Sequence, residues 1–179
     1  MLWYDSRDWP VARVAPKTAI PGVPKPLPAE YVTLLRNGIS GQVIMPGDPD
    51  YDQARHVSNP LFNNFPSAII MCETNDDVAL CLQVARDSKF PTVARSGGHS
   101  TAGFSSITDG IIININRMNS VTIADDRKSV LVGVGCNFGA LNAALEPDNL
   151  HMPGGACPDV CVGGYMQGGG YGFTARSLG

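Results

Sequence analysis

The chain has 179 residues, of which 44% are hydrophobic and 16% are charged, and its formal net charge is -3. This length and apolar content predict a globular chain that can bury the core of one ordinary domain or of two small subdomains. The low, slightly acidic charge excludes a basic surface for nucleic acid or for an anionic membrane, so neither is an expected partner.

The first ten residues, MLWYDSRDWP, do not resemble a secretory signal peptide, because they lack a cationic segment, an apolar run and a small-residue cleavage site. A run of about eighteen uncharged apolar residues, long enough to span a membrane, occurs nowhere in the sequence. We therefore expect a soluble chain. The sequence leaves its location open, with the cytoplasm slightly favoured.

A proline-rich stretch follows, in which six of the fourteen prolines lie between residues 10 and 28. Proline fixes φ and removes a backbone donor, so this composition favours extended, polyproline-like chain. A short helix is predicted at about residues 30–37, ended by Gly38. We assign residues 1–40 to a Pro-rich N-terminal arm and residues 41–179 to the functional domain.

The strongest local pattern is a strand, helix, strand unit. The apolar run at residues 68–72 predicts a buried strand. Thr74 and Asp77 have the spacing of a capping box at the start of a helix that ends near Ser88. Residues 92–95 predict a second strand, which leads directly into a glycine-rich loop.

That loop, RSGGHSTAG, spans residues 95–103 and is called the early loop below. Consecutive glycines let successive backbone amides turn inward and form a concave nest that binds pyrophosphate without a cationic side chain. A histidine on such a loop lies beside whatever the amides hold. The residues alone leave a second interpretation open, a tight turn with a surface histidine.

Later strands are predicted at residues 110–115, 121–124 and 129–134, which are rich in β-branched residues. A helix is predicted at residues 138–145, closed by Pro147.

Three glycines between the last of these strands and the helix imitate a dinucleotide-binding fingerprint: Gly133, Gly135 and Gly139. The fingerprint requires a second parallel strand that ends in an acidic residue about twenty positions later. The sequence there, HMPGGACPD, predicts no such strand, and no GxxxxGK motif occurs. NAD binding and a P-loop are therefore set aside.

The last 26 residues carry nine of the twenty glycines, and residues 154–172 are called the late block below. This density predicts a backbone that packs flat against a planar ligand, because no Cβ intervenes. A structural glycine-rich bend is the alternative. Cys157 and Cys161 also permit a redox pair or metal clamp, but no second pair of thiols exists at the required spacing and only His151 is nearby, so no metal site is predicted.

Several motifs occur in a fixed order over about residues 41–179. They are YDQAR, SNPLFN, DDVALCLQVAR, VARSGGHSTAG, PGGACPDVCVGGYMQGGGYG and ARSLG. In their order and spacing they resemble the berberine-bridge-enzyme-like family, part of the PCMH-type or vanillyl-alcohol-oxidase flavoproteins. The resemblance implies an α+β fold: a PCMH-type FAD-binding domain of two α+β subdomains, truncated before the substrate domain.

In that family the histidine of the RSGGHS loop is bonded to the flavin 8α-methyl carbon, which implies covalent FAD at His99. In the bicovalent branch a cysteine before proline is bonded to flavin C6, which implies a second link at Cys157. Imidazole and thiolate are the nucleophiles that these carbons require. Gly155 falls where the family uses a small residue to admit oxygen.

The reaction implied is oxidation of a small-molecule alcohol, carbohydrate or secondary metabolite by hydride transfer to flavin N5, followed by reoxidation with O2 to give hydrogen peroxide. The resemblance places the FAD contacts in the two glycine-rich segments. In the early loop they are Arg95, Ser96, Gly97, Gly98, His99, Ser100 and Gly103; in the late block they are Gly154, Gly155, Cys157, Val160, Gly163, Gly164, Tyr165, Gly168, Gly169, Gly170 and Tyr171.

Two positions depart from the family pattern. Cys161 replaces a common glycine and offers Cys157 a competing disulfide partner, and Tyr165 stands where a histidine often hydrogen-bonds the flavin. The catalytic base and substrate-binding sheet are expected beyond Gly179, in a C-terminal half or on a complementary chain. The alternative function is a truncated FAD-binding fragment without catalytic activity of its own.

Overall fold

The structure is a computed structural model that describes residues 22–178. Residues 1–21 of the predicted arm, with three of its six prolines, and Gly179 lie outside the described residues. The strands are β1 (Gln42–Ile44), β2 (Ala68–Met71), β3 (Thr92–Arg95), β4 (Ile111–Asn114), β5 (Val121–Ile123) and β6 (Val130–Val132). The helices are α1 (Ala29–Gly38), α2 (Tyr51–Arg55), α3 (Asn75–Ser88), α4 (Phe138–Leu145), α5 (Val162–Gly168) and α6 (Ala175–Leu178).

The first subdomain is built on a four-stranded sheet with the strand order β1-β2-β4-β3. Strands β2, β4 and β3 are parallel, and β1 is antiparallel to β2. The predicted strand, helix, strand unit is confirmed as β2, α3 and β3, and β4 lies between its two strands. The sheet edge where the parallel strands end is therefore the edge from which the early loop starts.

Both faces of the sheet are covered, which explains the continuous apolar runs of its central strands. Side chains alternate along β2, so Ile70 packs in one cluster with Leu35 of α1 and Val84 of α3. Ile69 points the other way and packs with Tyr51 of α2.

Helix α1 belongs to the predicted arm, yet it packs on the domain. Leu35 is fully buried, and Leu27, just before the helix, is buried in the same cluster. The described part of the arm, residues 22–40, thus contributes to the core of the first subdomain. The arm boundary at residue 40 stays a prediction.

Helix α3 begins at the predicted capping box. The Asp77 amide donates to the Thr74 hydroxyl at 3.1 Å, and the buried Asp77 carboxylate accepts from the amides of Glu73, Thr74 and Ser40. Burial opposes ionisation, but these hydrogen bonds outweigh it and hold the pKa of Asp77 below its usual range. The bond from Ser40 ties the turn before β1 to α3.

The second subdomain combines the antiparallel β5–β6 hairpin with α4 and α5. Asn137 caps α4, and Phe138 and Leu141 of that helix pack with Val162 of α5 in a separate core cluster. A single bridge pairs Asn137 with Cys161, which fastens the late block to the start of α4. The described residues therefore form two α+β units whose apolar clusters are separate.

The sequence did not predict four of these elements: β1, α2, α5 and α6. Strand β1 has three residues and α2 has five, too few for a periodic pattern to show. Helix α5 lies inside the late block, and three of its seven residues are glycine, the weakest helix former after proline. Buried Val162 at its start holds α5 in the second cluster, so packing overrides propensity there.

Candidate functional site

A cavity of about 590 Å³ opens at the edge of the sheet where the parallel strands end. The register aligns Met71 of β2, Asn114 of β4 and Arg95 of β3 in one row, and β1 adds Gln42 beside Met71. All four residues line the cavity. Ligands of open, mostly parallel sheets bind outside the carboxyl ends of the strands, so this is the expected place for a site.

The opposite wall of the cavity comes from the second subdomain. It includes Gly135, Asn137 and Ala140 at the start of α4, and Asp159 and Cys161 of the late block. The cavity is thus an inter-subdomain cavity, and its volume lies in the range of about 300–1,000 Å³ that small-molecule sites occupy.

The early loop leaves β3 at this cavity and is not helical, as predicted. Its Gly98 has a φ of 72°, a conformation that residues with a side chain rarely adopt. The amides of Gly97, Gly98 and His99 donate to no acceptor among residues 22–178. His99 is half-buried and lines the cavity with Ser96 and Gly97. Such unpartnered, consecutive amides are what an anion-binding nest requires.

Arg95 lines the cavity, but its guanidinium is engaged with the protein. Nε donates to the Ser105 carbonyl at 2.9 Å, and the two terminal nitrogens donate to the carbonyls of Ala54, Arg55 and His56 at 2.6 to 3.5 Å. Burial lowers the pKa of Arg95 to about 10, which still leaves it charged at neutral pH. Arg95 therefore joins the start of the early loop, and Ser105 just after the loop, to the end of α2.

The second subdomain holds the early loop from the other side. The Ser96 hydroxyl donates to the Val134 carbonyl at 2.7 Å. A Cβ at Gly97 would lie 2.9 Å from the sulfur of Cys161, so glycine is required for the loop to approach the late block this closely. The early loop is therefore fixed between the two subdomains.

Three further residues assigned to FAD support the early loop instead of lining the cavity. Gly98 is buried, the Ser100 hydroxyl accepts from the Phe104 amide at 3.2 Å, and a Cβ at Gly103 would lie 2.5 Å from the Phe62 ring. With a φ of 75°, Gly103 also closes the loop in a left-handed conformation.

The glycines of the late block approach planar groups of the chain itself. A Cβ at Gly154 would meet the Phe138 ring, and one at Gly155 or Gly170 would meet the Tyr165 ring. The two rings pack edge to face with their centroids 4.7 Å apart. In this structure the late block is therefore folded onto the second core cluster.

The remaining late-block assignments also lie away from the inter-subdomain cavity. The Val160 carbonyl accepts from the Phe138 amide, and Gly163 packs against the backbone of Val134. The others are exposed: Cys157, Gly164, Gly168, Gly169 and Tyr171. Contact between FAD and the positions assigned by the resemblance stays a prediction.

The thiols of the late block lie in different surroundings. Cys157 is exposed, whereas Cys161 is buried and its sulfur donates to the Gly135 carbonyl at 3.2 Å. Burial raises the pKa of Cys161. Both cysteines are free, so the competing disulfide is not formed. The structure brings Cys161, and not Cys157, to the cavity that His99 lines.

The sequence analysis missed the polar residues that follow β4. Asn116, Arg117 and Asn119 all line the cavity. Arg117 donates to Glu73 at 2.9 Å and to Gln42 at 3.1 Å, so it is held at the rim of the cavity. The available signal was a polar run directly after an apolar strand, which at the end of a parallel strand indicates a ligand site.

The cavity suits the phosphate and sugar groups of a dinucleotide. Free amides of the early loop offer donors to phosphate, and the asparagine side chains offer both donors and acceptors to hydroxyl groups. Within residues 22–178 there is no cluster of three or more His, Cys, Asp or Glu side chains arranged to hold a metal ion. None of the helices in that range has the length and apolarity needed to cross a membrane.

Comparison with known proteins points to the same chemistry. Residues 66–179 match the family described as FAD binding domain. The FAD-linked oxidoreductase pynB of Aspergillus niger is 34% identical over 146 residues, which cover 82% of this chain and 27% of that protein. Reticuline oxidase of Eschscholzia californica is 33% identical over 155 residues, which cover 80% of this chain and 29% of that protein.

A solved structure extends the likeness to the fold. Physcomitrella patens BBE-like 1 superposes with a TM-score of 0.78 at 29% identity, over 83% of this chain and 33% of that one. The predicted α+β, PCMH-type fold is thereby confirmed. The chain spans less than a third of the length of the curated relatives named above.

Proposed function

We propose, since this chain belongs to the FAD-binding-domain family of berberine-bridge-enzyme-like oxidoreductases, that it holds FAD covalently through His99 as part of an oxidase. The observation that carries the proposal is the position of His99. It lines the inter-subdomain cavity, directly beside backbone amides that have no acceptor among the described residues.

Different residues of the cavity are proposed to bind different parts of FAD. The amides of the early loop face phosphate, and Arg95 keeps that loop in place from the sheet side. The polar groups of Asn114, Asn116 and Asn137 line the remaining space and suit the ribose and the base. The imidazole of His99 supplies the nucleophile for attachment.

FAD held in this cavity would supply two-electron redox chemistry, with N5 as the hydride acceptor for the substrate and O2 as the final oxidant that is reduced to hydrogen peroxide. The substrate class proposed is a small-molecule alcohol, carbohydrate or secondary metabolite. No residue among those that the structure describes is proposed here as the catalytic base. Gly155 is proposed to leave room for oxygen at the ring.

Cys157 is proposed as a second attachment point. Its thiol is exposed and unpaired, which leaves it free to react. Because Cys157 does not line the cavity in this structure, a second link requires the late block to move toward the flavin. Cys161 is the competing thiol, and its burial disfavours the reactive thiolate.

A second candidate function is a FAD-binding fragment without catalytic activity of its own. It is favoured by the late block, whose glycines close on Phe138 and Tyr165 instead of on the cavity. Both candidate functions include FAD binding, but only the oxidase turns over a substrate.

Covalent attachment is tested by replacing His99 with Ala and comparing the flavin that remains with protein after acid precipitation. We expect the unsubstituted chain, purified after expression with FAD, to retain yellow colour in the pellet, and the double variant His99→Ala, Cys157→Ala to lose it. His151→Ala is the matched control, because this exposed histidine does not line the cavity.

Flavin released entirely into the supernatant by the unsubstituted chain would contradict the covalent link. Oxygen uptake with added FAD and a panel of sugars and alcohols then separates the oxidase from the inactive fragment. Pellet colour retained in Cys157→Ala would show the His99 link, and pellet colour retained in His99→Ala would show the second link at Cys157.

A further inference from the structure

Ser58 makes two hydrogen bonds to one carbonyl of the early loop. Its amide donates to the Gly98 carbonyl at 3.2 Å, and its hydroxyl donates to the same oxygen at 3.1 Å. Both acceptor positions of that carbonyl are thereby occupied. Ser58 itself does not line the inter-subdomain cavity, so the Gly98 carbonyl points to the side of the loop away from it.

The orientation of this carbonyl determines where the next amide points. The peptide bond between Gly98 and His99 is trans, and across a planar trans peptide the C=O and the following N–H point in opposite directions. With the Gly98 carbonyl turned toward Ser58, the His99 N–H is turned toward the cavity. That N–H donates to no acceptor among the described residues, which agrees with this orientation.

Glycine makes the orientation easy to lose. Gly98 has no Cβ and its φ is 72°, so the peptide plane that follows it can rotate at little steric cost. If that plane flipped, a carbonyl oxygen would replace an N–H at the cavity and would repel an anion. The two bonds from Ser58 oppose the flip.

Ser58 is held in place by the same scaffold that holds the loop. The carbonyls of residues 54–56, just before it, accept hydrogen bonds from the buried Arg95 guanidinium. Val57 packs 3.5 Å from the position that a Cβ on Gly98 would occupy. The segment from α2 to Ser58 therefore has little freedom relative to β3.

We propose that Ser58 is a positioning residue for anion recognition: by fixing the Gly98 carbonyl, it presents the His99 amide to the pyrophosphate of the cofactor. The identity of that anion rests on the function proposed above. The role of Ser58 is distinct from that of the His99 imidazole, because it acts through the backbone of the early loop.

The experiment uses the double variant His99→Ala, Cys157→Ala as the parent, because it keeps the amide at position 99 and removes both proposed attachment points, so that binding reaches equilibrium. FAD, ADP and riboflavin are titrated into the parent and into Ser58→Ala and Ser58→Thr made in it. We expect Ser58→Ala to weaken FAD and ADP by about threefold to tenfold, the range for one lost hydrogen bond, and to leave riboflavin unchanged. Ser58→Thr keeps the hydroxyl and should retain the affinity of the parent.

Thr33→Val is the matched control, since the Thr33 hydroxyl also donates to a backbone carbonyl, that of Ala29 in α1, away from the cavity. A merely structural role for Ser58 predicts equal losses for all three ligands, or equal losses in Ser58→Ala and Ser58→Thr. Either result overturns the proposal, and so does Ser58→Ala with unchanged affinity for FAD and ADP.

A second measurement separates this inference from the proposed function. Inorganic pyrophosphate is titrated into the ¹⁵N-labelled parent, and the amide resonance of position 99 is followed. We expect it to shift in the parent and in Ser58→Thr, and to shift less in Ser58→Ala. A shift without FAD binding would leave the inference standing and remove the proposed function, whereas no shift in the parent would overturn the inference.

Discussion

The early loop has three glycines in nine residues and the late block has eight in nineteen, yet they occupy different places in the molecule. The early loop leaves a strand of the parallel sheet and lies against the inter-subdomain cavity through Gly97. The late block follows no strand of that sheet, and its glycines close on Phe138 and Tyr165. Among the described residues no late-block glycine lines the cavity.

The difference shows that glycine permits a close approach of the backbone to another group but does not determine which group that is. The early loop gets its position from β3 and from the buried Arg95, both of which belong to the first subdomain. The late block gets its position from the aromatic surface of the second subdomain. Changes at the two segments should therefore differ in size, and the predictions below measure that difference.

The largest effect is expected at the base of the early loop. Arg95→Met removes a buried guanidinium and leaves four backbone carbonyls without their donor. Because each unsatisfied buried group is costly, we expect the free energy of unfolding to fall by roughly 3–5 kcal/mol. Urea unfolding followed by circular dichroism measures it.

Arg36→Met is the control for loss of an arginine. The Arg36 guanidinium is exposed, and its contact with Asp48 is 3.9 Å long, so we expect a change below about 0.5 kcal/mol. Equal effects of the two substitutions would show that the early loop does not depend on Arg95.

A matched glycine pair compares the two segments directly. Gly103 and Gly169 both have positive φ, 75° and 85°, but only Gly103 has a neighbour within reach of a Cβ, the Phe62 ring. Gly169→Ala should cost about 1 kcal/mol from backbone strain alone, and Gly103→Ala should cost about 2–3 kcal/mol because contact with the ring is added.

Thermal and urea unfolding of both variants checks this prediction. Phe62→Leu, combined with Gly103→Ala, should recover part of the loss because it removes the ring. If the two alanine variants are equally stable, the early loop is no more tightly packed than the late block.

The same contrast explains what the sequence could predict. The strands β2 to β6 and the helices α1, α3 and α4 were predictable because apolar periodicity, capping residues and β-branched runs act locally. The close approach of Gly97 to Cys161 and the ion pair of Arg117 with Glu73 were not predictable, because they arise from contacts between segments that are distant in the sequence. The family resemblance predicts His99 as the attachment residue, whereas the role proposed for Ser58 rests on the direction of one carbonyl that only the structure gives.

The scaffold beneath the early loop should also depend on pH in a way that the late block does not. Hydrogen bonds hold the pKa of Asp77 below its usual range, so its contribution to stability is present above about pH 4 and is lost as pH falls through the lowered pKa. Asp77→Asn should cost about 1–3 kcal/mol at pH 7 and less at pH 2.

Urea unfolding at the two pH values measures this change. Asp76→Asn removes the same charge from the same first turn of α3, but its side chain is exposed, so a smaller loss of stability is expected at pH 7. A pH profile for Asp77→Asn parallel to that of the unsubstituted chain would contradict the role given to its hydrogen bonds.

The smallest effect on stability is expected in the late block, at Cys157. Its side chain is exposed, so Cys157→Ala should change the free energy of unfolding by less than about 0.5 kcal/mol. Cys161→Ala should cost about 1 kcal/mol or more, because it removes a buried sulfur that packs against Gly97 and donates to Gly135.

A thiol reagent followed by mass spectrometry should label Cys157 first in the folded chain. If Cys161 is labelled as fast as Cys157, the late block opens readily away from the second subdomain. In that case its glycines are free to reach the cavity, and the contrast with the early loop is lost.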